Sequence, residues 1–165
     1  MADEQAYAGR VVVGYDGSDS STRAAQWAAG EARVRGRGLT LVHAILPPVT
    51  TGGLGVGLPP SLDLIDQMER HAKEQTDAFG ATLTGIDVRS VVSVGSPSAV
   101  MLEASEAADL VVVGSRGRGG FTGLLLGSVG AQVAAHSACP VAVIRQLAPD
   151  GASTVVVGID GSPAA

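Results

Sequence analysis

Apolar residues along the chain arrive in two rhythms. The first is a short, nearly unbroken run. Residues 10–15 read Arg-Val-Val-Val-Gly-Tyr, residues 39–46 read Leu-Thr-Leu-Val-His-Ala-Ile-Leu, and 87–94 hold Val88, Val91, Val92 and Val94. Residues 110–113 read Leu-Val-Val-Val and 140–144 read Pro-Val-Ala-Val-Ile. Valine-rich runs bounded by turn residues predict five strands. The fourth has no polar position and is expected to be buried on both faces. The second rhythm is helical. Ala24, Trp27, Ala28 and Ala32 recur at three- and four-residue spacing and predict a helix over 20–35, stopped by Gly36 and Gly38. Further helices are predicted over 61–79, 96–108 (Ser96 as cap, Pro97 at the first helical position) and 128–137. Strands alternating with helices imply βαβ units, hence an α/β fold with a parallel sheet and right-handed crossovers.

In such sheets a ligand binds beyond the carboxyl ends of the strands, where the strand order reverses. The strand ends richest in site chemistry are Gly14-Tyr15-Asp16-Gly17 and Gly114-Ser115-Arg116-Gly117. The first and fourth strands are therefore expected to be neighbours flanking that point. A Gly/Pro-rich segment over 47–60 is long for a connection in a compact domain and is expected to be mobile, as a lid.

Composition narrows the function. The 165 residues make about one domain. The net charge of −5 argues against a general nucleic-acid partner, which needs a basic face. One cysteine, Cys139, excludes an internal disulfide framework and reads as a small buried filler, while His43, His71 and His136 lack metal-ligand spacing. The first residues are acidic and polar, and no apolar run approaches about 18 residues, so no membrane span and a cytoplasmic location are expected. Of eleven basic residues only Lys73 is a lysine, and it lies in a charge-mixed helical stretch with no glycine loop before it. A phosphate-loop lysine is not expected.

Phosphate can be held without one. Gly114-Ser115-Arg116-Gly117, then nine residues, then Gly127-Ser128, follows a buried strand and opens a helix. Glycines admit close backbone approach. The helix start presents unpaired N–H groups and a positive dipole end, and Ser128, as its cap, adds a hydroxyl. The same pattern also fits a glycine-rich turn with a capped helix. It is neither a Rossmann nor a Walker loop.

The pattern Gly-x-x-Gly-x(9)-Gly-Ser, after a strand reading Asp-Leu-Val-Val-Val-Gly-Ser-Arg-Gly, resembles the nucleotide-binding signature of the universal stress protein family, ATP-binding branch. The resemblance spans about residues 8–146, including the opening Val-Val-Val-Gly-Tyr-Asp-Gly-Ser and the ending Cys-Pro-Val-Ala-Val-Ile. It implies a five-stranded parallel sheet of order 3-2-1-4-5 with helices on both faces, of the adenine-nucleotide alpha-hydrolase-like kind. It implies that Asp16 binds the ribose hydroxyls and that backbone groups of Ala44 read adenine. Gly114, Ser115, Arg116 and Gly117 would pass by the ribose and first phosphates. Gly127, Ser128 and the Val129 N–H would hold the outer phosphates of ATP, accompanied by Mg²⁺, and Gly14 would leave room for the nucleotide. Each residue also has a plainer reading: Asp16 as an Asx-turn, Arg116 and Arg118 as solvated loop, His43 and Trp27 as core.

The tail repeats the head. Residues 155–162 copy 11–18 with only Tyr15 against Ile159 differing, an offset of 144. The chain then reads as a domain over 1–147, followed over 148–165 by a linker and the first strand of a truncated second repeat. This resembles the tandem members of the family. Residues 154–159 are expected to be disordered or added to a sheet edge. By the same resemblance the strand 141–145 is a pairing edge, for a homodimer or between domains.

Three functions fit. The first is a regulatory stress-response module that binds ATP with slow or no hydrolysis, since neither a base facing the γ-phosphate nor a catalytic lysine is evident. The others are a weak ATPase or nucleotidyl-transfer enzyme, and a dimerising interaction protein with a vestigial site. No catalytic residue and no protein metal ligand is assigned.

Overall fold

The valine runs become strands because branched side chains pack well on a pleated surface that both faces bury. A computed structural model of the chain describes residues 4–48, 50–51, 57–58, 62–117, 126–147 and 156–158. After a short 3₁₀ turn at Glu4–Ala6, strand β1 spans Val11–Gly14. Helix α1, Asp19–Arg35, is capped by Ser18, whose Oγ accepts from the Ser21 N–H at 3.2 Å. It ends at Gly36, in the left-handed region at φ 63°, where the backbone N–H returns to the Ala32 and Arg33 carbonyls. Strand β2 is Leu39–Ile45. Two-residue strands β3 (Thr50–Thr51) and β4 (Gly57–Leu58) pair antiparallel. Then come α2 (Leu62–Gly80), β5 (Val88–Val94), α3 (Pro97–Ser105), β6 (Leu110–Gly114), α4 (Ser128–His136) and β7 (Val141–Ile144).

The main sheet has five parallel strands in the order β5-β2-β1-β6-β7. Counting only these five, the order is 3-2-1-4-5, as expected. The two-residue period sorts the strands onto two layers. Val11, Val13, Leu39, Leu41, Leu110 and Val112 face α1, whose alanines at 24, 25, 28, 29 and 32 allow close approach. Val12, Val42, Val111 and Val113 face α3 and α4 through Val100, Met101, Ala104 and Val133. Leu110 to Val113 are all buried, as a central strand requires. Trp27 is only partly buried, at the edge of the α1 layer. Cys139 departs from expectation: it is half-buried, in the turn before β7.

The amino ends of the strands are locked by a residue the sequence presents as ordinary surface charge. Arg10 is 7% exposed. Its Nε donates to Thr40 Oγ1 at 2.9 Å, Nη1 to Asp87 Oδ2 at 2.6 Å, and Nη2 to the Leu39 and Asp87 carbonyls at 2.8 and 2.9 Å. Gly38 lies against the guanidinium, where a Cβ would overlap it.

The hydrogen bond from Arg10 holds the Asp87 carboxyl below the ordinary aspartate range. A depressed folded-state pKa gives stability that is fully present above the unfolded value of about 3.9 and lost as pH falls through the folded value. Asp87 is largely exposed, so solvent weakens the effect. The expected result is that Asp87→Asn slightly flattens the fall of the urea midpoint between about pH 5 and pH 2.5. Asp77, lowered by its hydrogen bond from Lys73, titrates in the same direction and remains in the variant as a reference. An unchanged pH slope would refute the coupling.

Of the segment 47–60, the β3–β4 pair is described and most of the remainder lies outside the described residues, as does Arg118. In the tail, Val156, Val157 and Gly158 belong to no helix or strand, and both valines are exposed. The rest of the tail repeat lies outside the described residues.

Candidate functional site

Strand order reverses between β1 and β6: the chain leaves β1 for β2 on one side and reaches β6 on the other. Their carboxyl ends are adjacent, and the site is built there. Beyond β1 the Tyr15 N–H still donates to the Val42 carbonyl at 2.8 Å, and the Tyr15 ring turns away to stack on Phe79 at a centroid distance of 4.6 Å. Asp16 then starts the turn into α1. Its Oδ1 accepts from the Ser18 N–H at 3.0 Å and its own N–H donates to Ser21 Oγ at 3.3 Å. The Asx-turn reading of Asp16 is therefore correct as far as it goes. The turn occupies Oδ1, while Oδ2 faces Gly117, 3.2 Å from where a Cβ would stand.

On the β6 side the loop is pinned at entry and exit. Ser115 donates its N–H to the Ile144 carbonyl at 2.9 Å, and its own carbonyl accepts from the Gly127 N–H at 2.8 Å. The Arg116 N–H donates to Ser20 Oγ at 3.3 Å. Gly114 packs directly beneath Ser20, so close that a Cβ would lie 2.6 Å from its Oγ. The helix α4 starts one residue earlier than a serine cap would require. Gly127 is the N-cap (φ −72°, ψ 163°) and Ser128 is the first helical residue. Gly130 lets this first turn lie over Leu126 and the Gly114 carbonyl.

These parts enclose a cavity of about 480 Å³. Part of the lining is apolar: Val42, Ala44, Pro97 and Met101. Another part is glycine and helix start, with Gly117, Gly127, Ser128 and Val129, together with Arg116. Gly14, beside Met101, and Asp16, beside Gly117, line it as well, with Gly114. Nine of the ten residues singled out from the sequence thus line one cavity. Ser115 does not; it is buried and fixes the loop from behind. Sequence reasoning missed Pro97 and Met101, because apolar residues four apart on a helix look the same whether they face core or cavity. His43 points the other way, buried with Nδ1 3.3 Å from Thr76 Oγ1 of α2. Among the described residues, no group of three or more His, Cys, Asp or Glu is placed to hold a metal ion, and no helix is long and apolar enough to cross a membrane.

A cavity that combines apolar side chains, one carboxylate and a helix N-terminus suits a ligand that carries a planar base, a sugar and an anion. Fold and site together define an α/β protein with a ligand crevice at the switch point of its sheet. The universal stress protein family model matches residues 8–145. The chain belongs to the universal stress protein family. A universal stress protein of Mycolicibacterium smegmatis is 36% identical over 162 residues, covering 93% of this chain and 55% of the relative. The chain spans about half the length of the curated relatives it matches. Among solved structures, the universal stress protein UspA from Lactobacillus plantarum superposes with a TM-score of 0.71 at 23% identity, over 83% of this chain and 97% of that one. A universal stress protein in complex with cAMP gives 0.62 at 27% identity, over 84% and 98%. The universal stress protein from Archaeoglobus fulgidus in complex with dAMP gives 0.58 at 25%, over 84% and 99%.

Proposed function

We propose that this chain is an adenine-nucleotide-binding regulatory module that holds ATP, with slow or no hydrolysis. The observation that carries the reading is the convergence of Asp16, of Gly114, Arg116 and Gly117, and of the first turn of α4 on one cavity that Val42, Ala44, Pro97 and Met101 also line. Family members that bind cAMP and dAMP share the adenine that this apolar part would receive. Adenine would lie against Val42 and Ala44, the ribose at Asp16, and the phosphates on the amides of Gly127, Ser128 and Val129, helped by Arg116. The residues present suit Mg²⁺ held by the phosphates, with the Ser128 hydroxyl as a protein oxygen within its reach. Slow hydrolysis is supported by the lining, which offers a single carboxylate and no lysine or histidine among the described residues. Phosphoryl transfer to water needs a group that orients the attacking water.

The exposed edge of β7 supports pairing with a second copy or with a second domain of a longer tandem protein. A cytoplasmic location fits this reading.

The test is to denature the purified protein and identify what is released by chromatography and mass. ATP approaching one per chain is the expected result. ADP as the main product, with turnover on adding Mg²⁺, would replace the module by an enzyme. No nucleotide, together with no thermal shift on adding ATP, would reduce the cradle to a helix cap and favour an interaction protein.

A further inference from the structure

We propose that Met101 determines which substituted bases the cavity admits, its thioether forming the wall that limits the apolar part. The inference rests on the adenine-nucleotide reading above and deepens it. Helix α3 starts at Pro97, and Met101 lies one turn further along the same face. Both line the cavity. Met101 is 3% exposed and is packed among Val12, Val100 and Ala104. The side chain therefore has a fixed place in the wall.

That place is beside Gly14, at the end of β1. A Cβ built on Gly14 would meet Met101 Sδ at 3.5 Å, Cε at 3.8 Å and Cγ at 3.9 Å. The thioether thus runs past the side of Gly14 that carries no side chain, from its γ-carbon to its methyl. The facing residues offer little adjustment. Gly14 has no side chain, and Ala44 has only a methyl on a strand fixed by seven register pairs with β5. Met101 is the long, unbranched member of this wall, and shortening it lengthens the slot without touching the sheet. Its polarizable sulfur also suits a flat aromatic base. A core residue and a specificity residue look identical in the sequence here. They differ in what a substitution does to the ratio between ligands.

The test measures binding of ATP and of ATP analogues carrying a bulky group at N6, C2 or C8, each separately, to the full chain and to Met101→Ala, Met101→Val and Met101→Leu. Wild type and Met101→Leu are expected to reject the bulky analogues relative to ATP. Met101→Ala and Met101→Val are expected to bind at least one of them about tenfold more tightly than wild type does, the range that a gained or lost methylene commands in an apolar pocket. Should Met101→Ala fail to fold, Met101→Val still opens the slot. If every nucleotide weakens in the same proportion, Met101 is structural core and the proposal falls while the nucleotide reading stands. If wild type binds no adenine nucleotide, the nucleotide reading falls and takes this proposal with it.

Discussion

Gly114→Ala is expected to lower the thermal midpoint by roughly 2–12 °C and to weaken ATP binding at least about tenfold. The added methyl would lie 2.6 Å from Ser20 Oγ and 3.0 Å from the Ser20 carbonyl carbon and oxygen. A hydroxyl rotates away, but a carbonyl in the first turn of a helix does not. The start of α1 is held by the Ser18–Ser21 cap and by the alanine face that seats the helix on the sheet. Relief requires lifting α1 from β6. Overpacking of this kind costs about 1–3 kcal/mol, and each kcal/mol shifts the midpoint of a chain this size by about 2–4 °C. Binding is expected to suffer because the same shift withdraws Ser20 Oγ from the Arg116 N–H, which sets the loop proposed to pass the phosphates. Gly130 makes a useful contrast. A methyl there meets Leu126 Cδ1, the end of a flexible side chain that has other rotamers. Circular dichroism melting and calorimetric titration well below the transition separate the two effects. A wild-type midpoint in Gly114→Ala would show that the α1–β6 spacing has slack.

The same glycine shows how far the sequence could be read. Gly114 stood out as a residue whose backbone passes close to a ligand, yet a side chain there would meet Ser20 first, 94 positions earlier. Glycine marks a close approach without saying what approaches. The strands and helices were legible because Val11–Val13, Leu110–Val113 and the α1 alanines obey periods that burial alone imposes. The adjacency of β1 and β6 followed from the rule that ligands bind at switch points; the full order came with the family resemblance. Long-range polar partners were not legible. Arg10 before a strand looks like solvated charge, and only folding brings Asp87 to it. Ser115 sits inside the motif and looks like a ligand contact, but its backbone is consumed by Ile144 and Gly127. The cap of α4 moved from Ser128 to Gly127 because either residue type can end a loop, and only the dihedral angles decide.

Asp16→Asn is expected to weaken ATP about tenfold and Asp16→Ala about a hundredfold, with a modest loss of thermal stability only in the alanine variant. The two substitutions dissect two jobs. The Asx-turn needs an oxygen that accepts the Ser18 N–H, and an asparagine amide oxygen supplies one. The proposed ribose contact needs a charged acceptor, and a charge-assisted hydrogen bond is worth about 1.5–3 kcal/mol, or roughly a factor of 10–150 in affinity. Asparagine keeps the turn and loses the charge; alanine loses both. A loss of affinity alone would not prove ribose recognition, since a distorted turn also displaces Gly117, which lies beside Oδ2. The deciding measurement is a cycle with 2′-deoxy- and 3′-deoxy-ATP. If Asp16 binds the sugar, removing the relevant hydroxyl weakens wild type but leaves Asp16→Ala nearly unmoved, because the partner is already gone. If both proteins lose the same factor, Asp16 shapes the turn and something else holds the ribose. The cycle succeeds where single variants fail because it compares the missing hydroxyl in two proteins, each carrying its own turn geometry.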